Sequence, residues 1–203
     1  MFLCELRIEN LRMYGEGEQA LLLPLLPGLT ALVGENDSGK TAIIDALRLA
    51  LGTRDQEVLR VDELDFHQPL DGAQRRMEIR IRCKFDDLTR QDIAAFLEYL
   101  TYEARGSKKV PVLYVNWKAN DIARGTTRRR TTFFETRSGQ SGDGPSIDSQ
   151  CKSLLCSTLR AGSYKNVTPY TVKGSIQHTG SEDKPKSICK DRTIGTWEGR
   201  NAE

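Results

Sequence analysis

Polar and apolar residues alternate along Phe2–Ile8, with Phe2, Cys4, Leu6 and Ile8 on one side and Leu3, Glu5, Arg7 and Glu9 on the other. Period two is the mark of a strand with one more polar face. The alternation is cleaner at Met77–Phe85, where Met77, Ile79, Ile81, Cys83 and Phe85 oppose Glu78, Arg80, Arg82 and Lys84. This predicts a half-exposed strand of an antiparallel sheet. Val110–Lys118 and Thr131–Arg137 predict an antiparallel pair, and Gln19–Leu23 a shorter strand. Leu29–Val33 is different: short, apolar and uninterrupted, as a strand buried on both faces should be.

Helical spacing appears in Lys40–Leu51, where Ala42, Ile43, Ala46, Leu47 and Ala50 share a face and Gly52 supplies the stop. Leu88–Thr101 also predicts a helix, with Thr89 as N-cap and a stripe of Ile93, Phe96, Leu97 and Leu100. Gln150–Leu159 begins a third. Thr53–Gln74 is polar and acidic without a period and predicts a mobile loop, and Ser138–Ser149 predicts a Gly/Ser-rich one. From about Gly162 the chain is rich in Ser, Thr, Gly and Lys and has no period, which predicts an irregular segment. The pattern is thus α/β, with an ordered lobe over 1–158 and an irregular, disordered tail over 159–203.

Composition adds limits. With 203 residues there is room for one sizeable domain plus a tail. A net charge of +2 argues neither for nor against nucleic acid. The five cysteines Cys4, Cys83, Cys151, Cys156 and Cys189 have no zinc-site spacing and read as free thiols of a reducing compartment. Glu5, Arg7 and Glu9 interrupt any signal-peptide core, and the apolar run Ala20–Leu26 is far short of the roughly 20 residues a membrane helix needs. A cytoplasmic location with no membrane contact is expected.

The chemistry lies between the apolar strand and the first helix. Gly34-Glu35-Asn36-Asp37-Ser38-Gly39-Lys40-Thr41 satisfies G-x-x-x-x-G-K-[ST] in the strand–loop–helix order that a P-loop requires. Gly34 and Gly39 are expected to supply backbone angles closed to other residues and to let amides approach phosphate oxygens. Successive N–H groups, Asp37 and Ser38 among their bearers, form an anion nest at a helix N-terminus. Lys40 places an ammonium against the β- and γ-phosphates, and the Thr41 hydroxyl is positioned for Mg²⁺. The implied ligand is ATP with Mg²⁺.

The interior form G-x-N-x-S-G-K-[ST] resembles the ATPase heads of the ABC, structural-maintenance-of-chromosomes and RecF group. The opening Ile8-Glu9-Asn10-Leu11-Arg12-Met13-Tyr14 is similar to theirs as well. The resemblance gives Asn36 a contact with the terminal phosphate and attacking water, and Arg12 a contact with nucleotide phosphate or a neighbouring loop. A solvated turn residue is the plainer reading of Arg12. Over about residues 1–158 the chain resembles the OLD (overcoming lysogenization defect) family of ATP-dependent endonucleases. Leu6–Tyr14, Gly34–Thr41, Asp62–His67, Met77–Phe85, Phe96–Glu103, Val112–Trp117 and Ser138–Asp148 carry it. The implied fold is a P-loop NTPase, the N-terminal lobe of an ABC/RecF-type ATPase head with a partly antiparallel sheet. The resemblance also implies a homodimer that processes DNA through a C-terminal Toprim nuclease domain.

Several expected parts are missing. No strand ends in the acids of a Walker B motif; Val110–Trp117 comes nearest but ends without one. Ser138-Gly139-Gln140-Ser141-Gly142 imitates a signature helix start, yet Asp143-Gly144-Pro145 makes it a loop. Asp86-Asp87 lacks Toprim spacing. Beyond Leu159 the chain departs from the family pattern, which implies truncation or a frame shift near residue 158. Arg128-Arg129-Arg130, Arg75-Arg76 and Lys108-Lys109 are candidate DNA contacts, with solvated loops the simpler reading. His67 reads as a surface residue that lies in a candidate switch loop, and Trp117 as a sheet residue with one buried face. Two functions stay open: an ATP-hydrolysing DNA-processing enzyme, or a nucleotide-binding module without turnover.

Overall fold

A computed structural model describes residues 1–52, 61–70, 72–123, 130–162 and 167–171. The chain runs through β1 (Phe2–Glu9), β2 (Leu21–Pro24), β3 (Leu29–Val33), α1 (Lys40–Leu51), β4 (Glu78–Asp86) and α2 (Arg90–Ala95). It continues through β5 (Leu100–Arg105), β6 (Lys108–Ala123), β7 (Arg130–Arg137), α3 (Ser149–Gly162) and β8 (Val167–Thr171).

Six strands form one antiparallel sheet in the order β2-β1-β4-β6-β5, with β7 also on β6. β6 is long enough to serve two neighbours on the edge away from β4. Its Lys108–Leu113 part pairs with β5 and its Asn116–Ala123 part with β7. The alternation read from the sequence decides which way the sheet faces. Leu6, Ile8, Ile79, Ile81, Cys83, Phe85, Val115, Trp117 and Ala119 are buried, and α1 covers them with Ala42, Ile43, Ala46 and Ala50. Each such side chain contributes on the order of 1.5–3 kcal/mol when its apolar area leaves water. The other face carries charged side chains in cross-strand pairs, including Arg82 with Glu5 at 3.0 Å and Lys84 with Glu103 at 2.9 Å. Trp117 is buried, as its strand position requires.

β3, expected to be buried on both faces, is exposed at Leu29 and Val33 and half-buried between them. Two further expectations change. The helix over Leu88–Thr101 is only the short α2, followed by a 3-10 turn at Leu97–Tyr99 and then by β5. Phe96 is fully buried where the helix stops, and Gly106-Ser107 forms a two-residue connection with Arg105 opposite Lys108. Gly106 has a φ of 62°, so the hairpin favours glycine there. Thr89 is the N-cap as expected: Asp92 N donates to its Oγ1 at 3.2 Å, and Thr89 N donates to Asp92 Oδ2 at 2.9 Å. Thr89→Ala should cost about 1 kcal/mol, seen as a fall of about 2–4 °C in thermal melting.

The second change concerns the end of the chain. The irregular segment expected over 159–203 includes the last turn of α3, which reaches Gly162, and β8, which pairs with β3 in parallel from Leu29↔Val167 to Val33↔Thr171. An apolar strand with an open edge offers backbone donors and acceptors that must be met. Pairing β8 to β3 meets them on one edge. Cys189, His178 and Trp197 lie outside the described residues. Among the described residues Cys4, Cys83, Cys151 and Cys156 form no disulfide with one another.

Candidate nucleotide site

β3 ends at Val33, and Gly34–Gly39 turns the chain into α1. Two loop residues hold the left-handed conformation, Asp37 with φ 63° and Gly39 with φ 87°. Asp tolerates it because its short polar side chain can hydrogen-bond locally. Gly34 does not hold it, contrary to expectation, because the reversal is made later, at Asp37 and Gly39.

Lys40 folds back across the loop. Its Nζ donates to Gly34 O at 2.9 Å, to Ser38 Oγ at 3.2 Å and to Glu35 O. Among the described residues it meets no carboxylate. Glu35, Asn36, Asp37 and Thr41 are exposed, and Ser38, Gly39 and Lys40 are partly so. The first amides of α1 have no intrahelical acceptor, and the positive end of the helix dipole lies with them. An uncompensated ammonium, a hydroxyl on each side of it and free first-turn amides suit a multiply charged oxyanion with a hard cation. All of the expected residues from Gly34 to Thr41 are brought together here.

Arg12 is elsewhere. Its Nη1 donates to Asp45 Oδ2 on α1 at 2.7 Å, and its Nε donates to Asp65 Oδ1 at 2.8 Å. Burial would lower the pKa of the guanidinium, but Asp65 and Asp45 outweigh it and raise the value above the ordinary one. The solvated-turn reading of Arg12 is therefore corrected by two carboxylates. Tyr14 also escapes sequence reasoning: it is buried, its hydroxyl donates to Gly39 O at 3.3 Å, and burial pushes its pKa up. Asp45 carried a signal that was not used, a carboxylate on the apolar stripe of α1 between Ile43 and Ala46.

His67 is buried, not a surface residue, because its Nδ1 lies 2.7 Å from Arg12 O and its own backbone N donates to Asn10 O at 3.0 Å. Arg75 reaches Asp121 at 2.8 Å and Arg76 reaches Glu16 at 2.8 Å, so both are in ion pairs. Arg128 and Arg129 lie outside the described residues.

Neither decoy motif forms the part it imitates. β6, which holds the nearest Walker B candidate, sits within the antiparallel sheet; among the described residues β3 pairs with β8 alone. Ser138–Gly144 is a loop, closed by Ser138 N to Pro145 O at 2.9 Å and Gly144 N to Ser138 O at 3.0 Å. Asp86 is paired with Arg105. Among the described residues no group of three or more His, Cys, Asp or Glu is placed to hold a metal ion. A groove of about 840 Å³ lies beside α1, and Phe2, Leu6, Leu32, Ile43, Lys40 and Thr41 are among the residues that line it.

Residues 5–167 match the family model described as an AAA domain. No curated protein matches the chain. Among solved structures, one from work on ATP-driven dimerization and DNA-stimulated activation of SMC ATPases is 16% identical over 81% of each chain, with a TM-score of 0.45. An Smc head bound to the C-terminal winged-helix domain of ScpA is 16% identical with a TM-score of 0.47; 81% of this chain spans 42% of that one. The Smc head domain with a coiled coil and joint from Pyrococcus yayanosii is 17% identical with a TM-score of 0.49; 78% of this chain spans 25% of that one.

Proposed function

This chain belongs to the AAA domain family, and we propose that it binds ATP with Mg²⁺ through Gly34–Thr41. One observation carries the reading: the Lys40 ammonium lies inside the loop where α1 begins, and among the described residues it is held by carbonyl and hydroxyl oxygens. In this reading the amides around Asn36, Asp37, Ser38 and Gly39 cradle the phosphates, and Lys40 contacts the β- and γ-oxygens. The Thr41 hydroxyl is the protein ligand to Mg²⁺, which would neutralise charge on the terminal phosphates. In the same reading Asn36, exposed on the loop, contacts the terminal phosphate and a water.

The finer reading is an ABC-type head of the OLD kind, working as a cytoplasmic homodimer on DNA, with the nucleotide-binding lobe over 1–158 and the tail over 159–203. The segments quoted for that resemblance support it, and among the described residues no helix is long and apolar enough to cross a membrane. A second reading is a nucleotide-binding module without turnover. It is favoured by one observation: the strand beside β3 is Val167-Thr168-Pro169-Tyr170-Thr171, which carries no acid.

Phosphate release from Mg-ATP, measured beside equilibrium binding, separates the two. Binding with no release above a Lys40→Ala control is expected for the module and release lost in Lys40→Ala for the enzyme. Absence of both binding and release refutes the proposal.

A further inference from the structure

Arg12 ties three separate parts of the chain. Beyond the side-chain contacts with Asp45 and Asp65, its backbone N donates to Asp65 O at 2.7 Å and its carbonyl accepts from the His67 ring. Asp65 in turn uses its second oxygen to accept from Asp62 N at 2.9 Å, closing the 3-10 turn at Glu63–Asp65. Arg12 itself stands in the left-handed region at φ 51°, a conformation that needs this surround to hold it. On the same loop, Met13 and Tyr14 press on Gly39 so closely that a Cβ there would lie 2.5 Å from Met13 Sδ. The Asn10–Gly15 loop therefore touches the P-loop and its helix at two points, Gly39 and Asp45, separated by about 9 Å of helix rise.

We propose that Arg12 is a positioning residue of the nucleotide site: it fixes α1 and the P-loop against the Asp62–His67 turn without touching the nucleotide. The proposal rests on the nucleotide reading above. The guanidinium is planar and its donors point in fixed directions, so two of them facing two carboxylates leave little freedom. Turning it towards a phosphate would leave Asp45, which is 7% exposed on the core side of α1, with only the looser pairing to Arg48 at 3.7 Å. Nucleotide affinity then depends on Asp65, a residue on another segment, 53 positions from Arg12.

The test combines calorimetric titration of Mg-ATP with hydrogen exchange of the α1 amides in the nucleotide-free chain. Asp65→Asn should weaken ATP binding roughly fivefold or more and speed exchange in the first turns of α1. Arg12→Lys should behave like Arg12→Ala, because one ammonium cannot serve both carboxylates in that geometry. The double variant Arg12→Ala/Asp65→Asn should bind no more weakly than Arg12→Ala. Arg82→Gln, which breaks the pair with Glu5 on the far sheet face, should lower stability comparably and leave both readouts unchanged. The proposal is overturned if Asp65→Asn binds ATP as well as the wild type, or tighter, with unchanged exchange. A direct phosphate contact predicts that outcome, since the variant releases the arginine. Should Arg12→Ala fail to fold, Asp65→Asn alone decides. If the wild type binds no ATP, the nucleotide reading fails, while the exchange measurement still decides whether Arg12 positions α1.

Discussion

Gly39→Ala lowers the melting temperature by about 5–15 °C and weakens ATP binding by at least roughly tenfold. Two separate costs add at this position. The backbone is left-handed at φ 87°, which costs a residue with a Cβ roughly 1–2 kcal/mol. The new methyl would also collide with the Tyr14 hydroxyl and lie 2.5 Å from Met13 Sδ. Overpacking of that kind costs about 1–3 kcal/mol. The neighbours cannot yield freely, since Tyr14 is buried and hydrogen-bonded to Gly39 O. Either Tyr14 moves and uncovers the loop, or the loop moves and its amides lose their aim. Thermal melting together with ATP titration reads both effects; a variant with wild-type melting and affinity contradicts the packing described here.

Lys40→Ala separates binding from stability. The Lys40 side chain is partly exposed, and its bonds to Gly34 O and Ser38 Oγ are local, so the loss of stability should stay within about 0.5 kcal/mol. Its loss to binding is much larger, because charge-assisted bonds to phosphate are each worth about 1.5–3 kcal/mol. Affinity for ATP should fall by roughly 10- to 150-fold while the melting temperature of the nucleotide-free chain is nearly unchanged. A variant that melts much lower and binds normally would assign Lys40 a structural role.

The loop was legible in the sequence because its parts are contiguous. Eight consecutive residues supply the backbone, the ammonium and the hydroxyl, the strand before them is a short apolar run, and the helix after them has a clear period. The strands β1 and β4 were legible for a related reason, since one buried face imposes alternation. What the sequence hid depends on partners far along the chain. His67 and Asp65 meet Arg12 across 55 and 53 positions, and Asp45 meets it across 33. No local pattern announces such contacts, so His67 read as a surface residue and Arg12 as solvated. The helix expected over Leu88–Thr101 failed differently. Ile93, Phe96, Leu97 and Leu100 have helical spacing, but Leu100–Arg105 finds a strand partner in β6. Gly106-Ser107 was the overlooked signal, a two-residue hairpin connection between β-forming segments. β8 lies in a segment with no period, and only the open edge of β3 gives it a place.

If Gly34–Thr41 holds nucleotide phosphates through Lys40, removing that side chain must cost affinity. Calorimetric titration of ATP in Mg²⁺ into the wild-type chain and into Lys40→Ala, at matched salt, tests it most directly. Saturable one-to-one binding by the wild type and roughly tenfold or weaker binding by the variant are expected. Equal affinity in the two proteins, or no binding by a folded wild type, would contradict it.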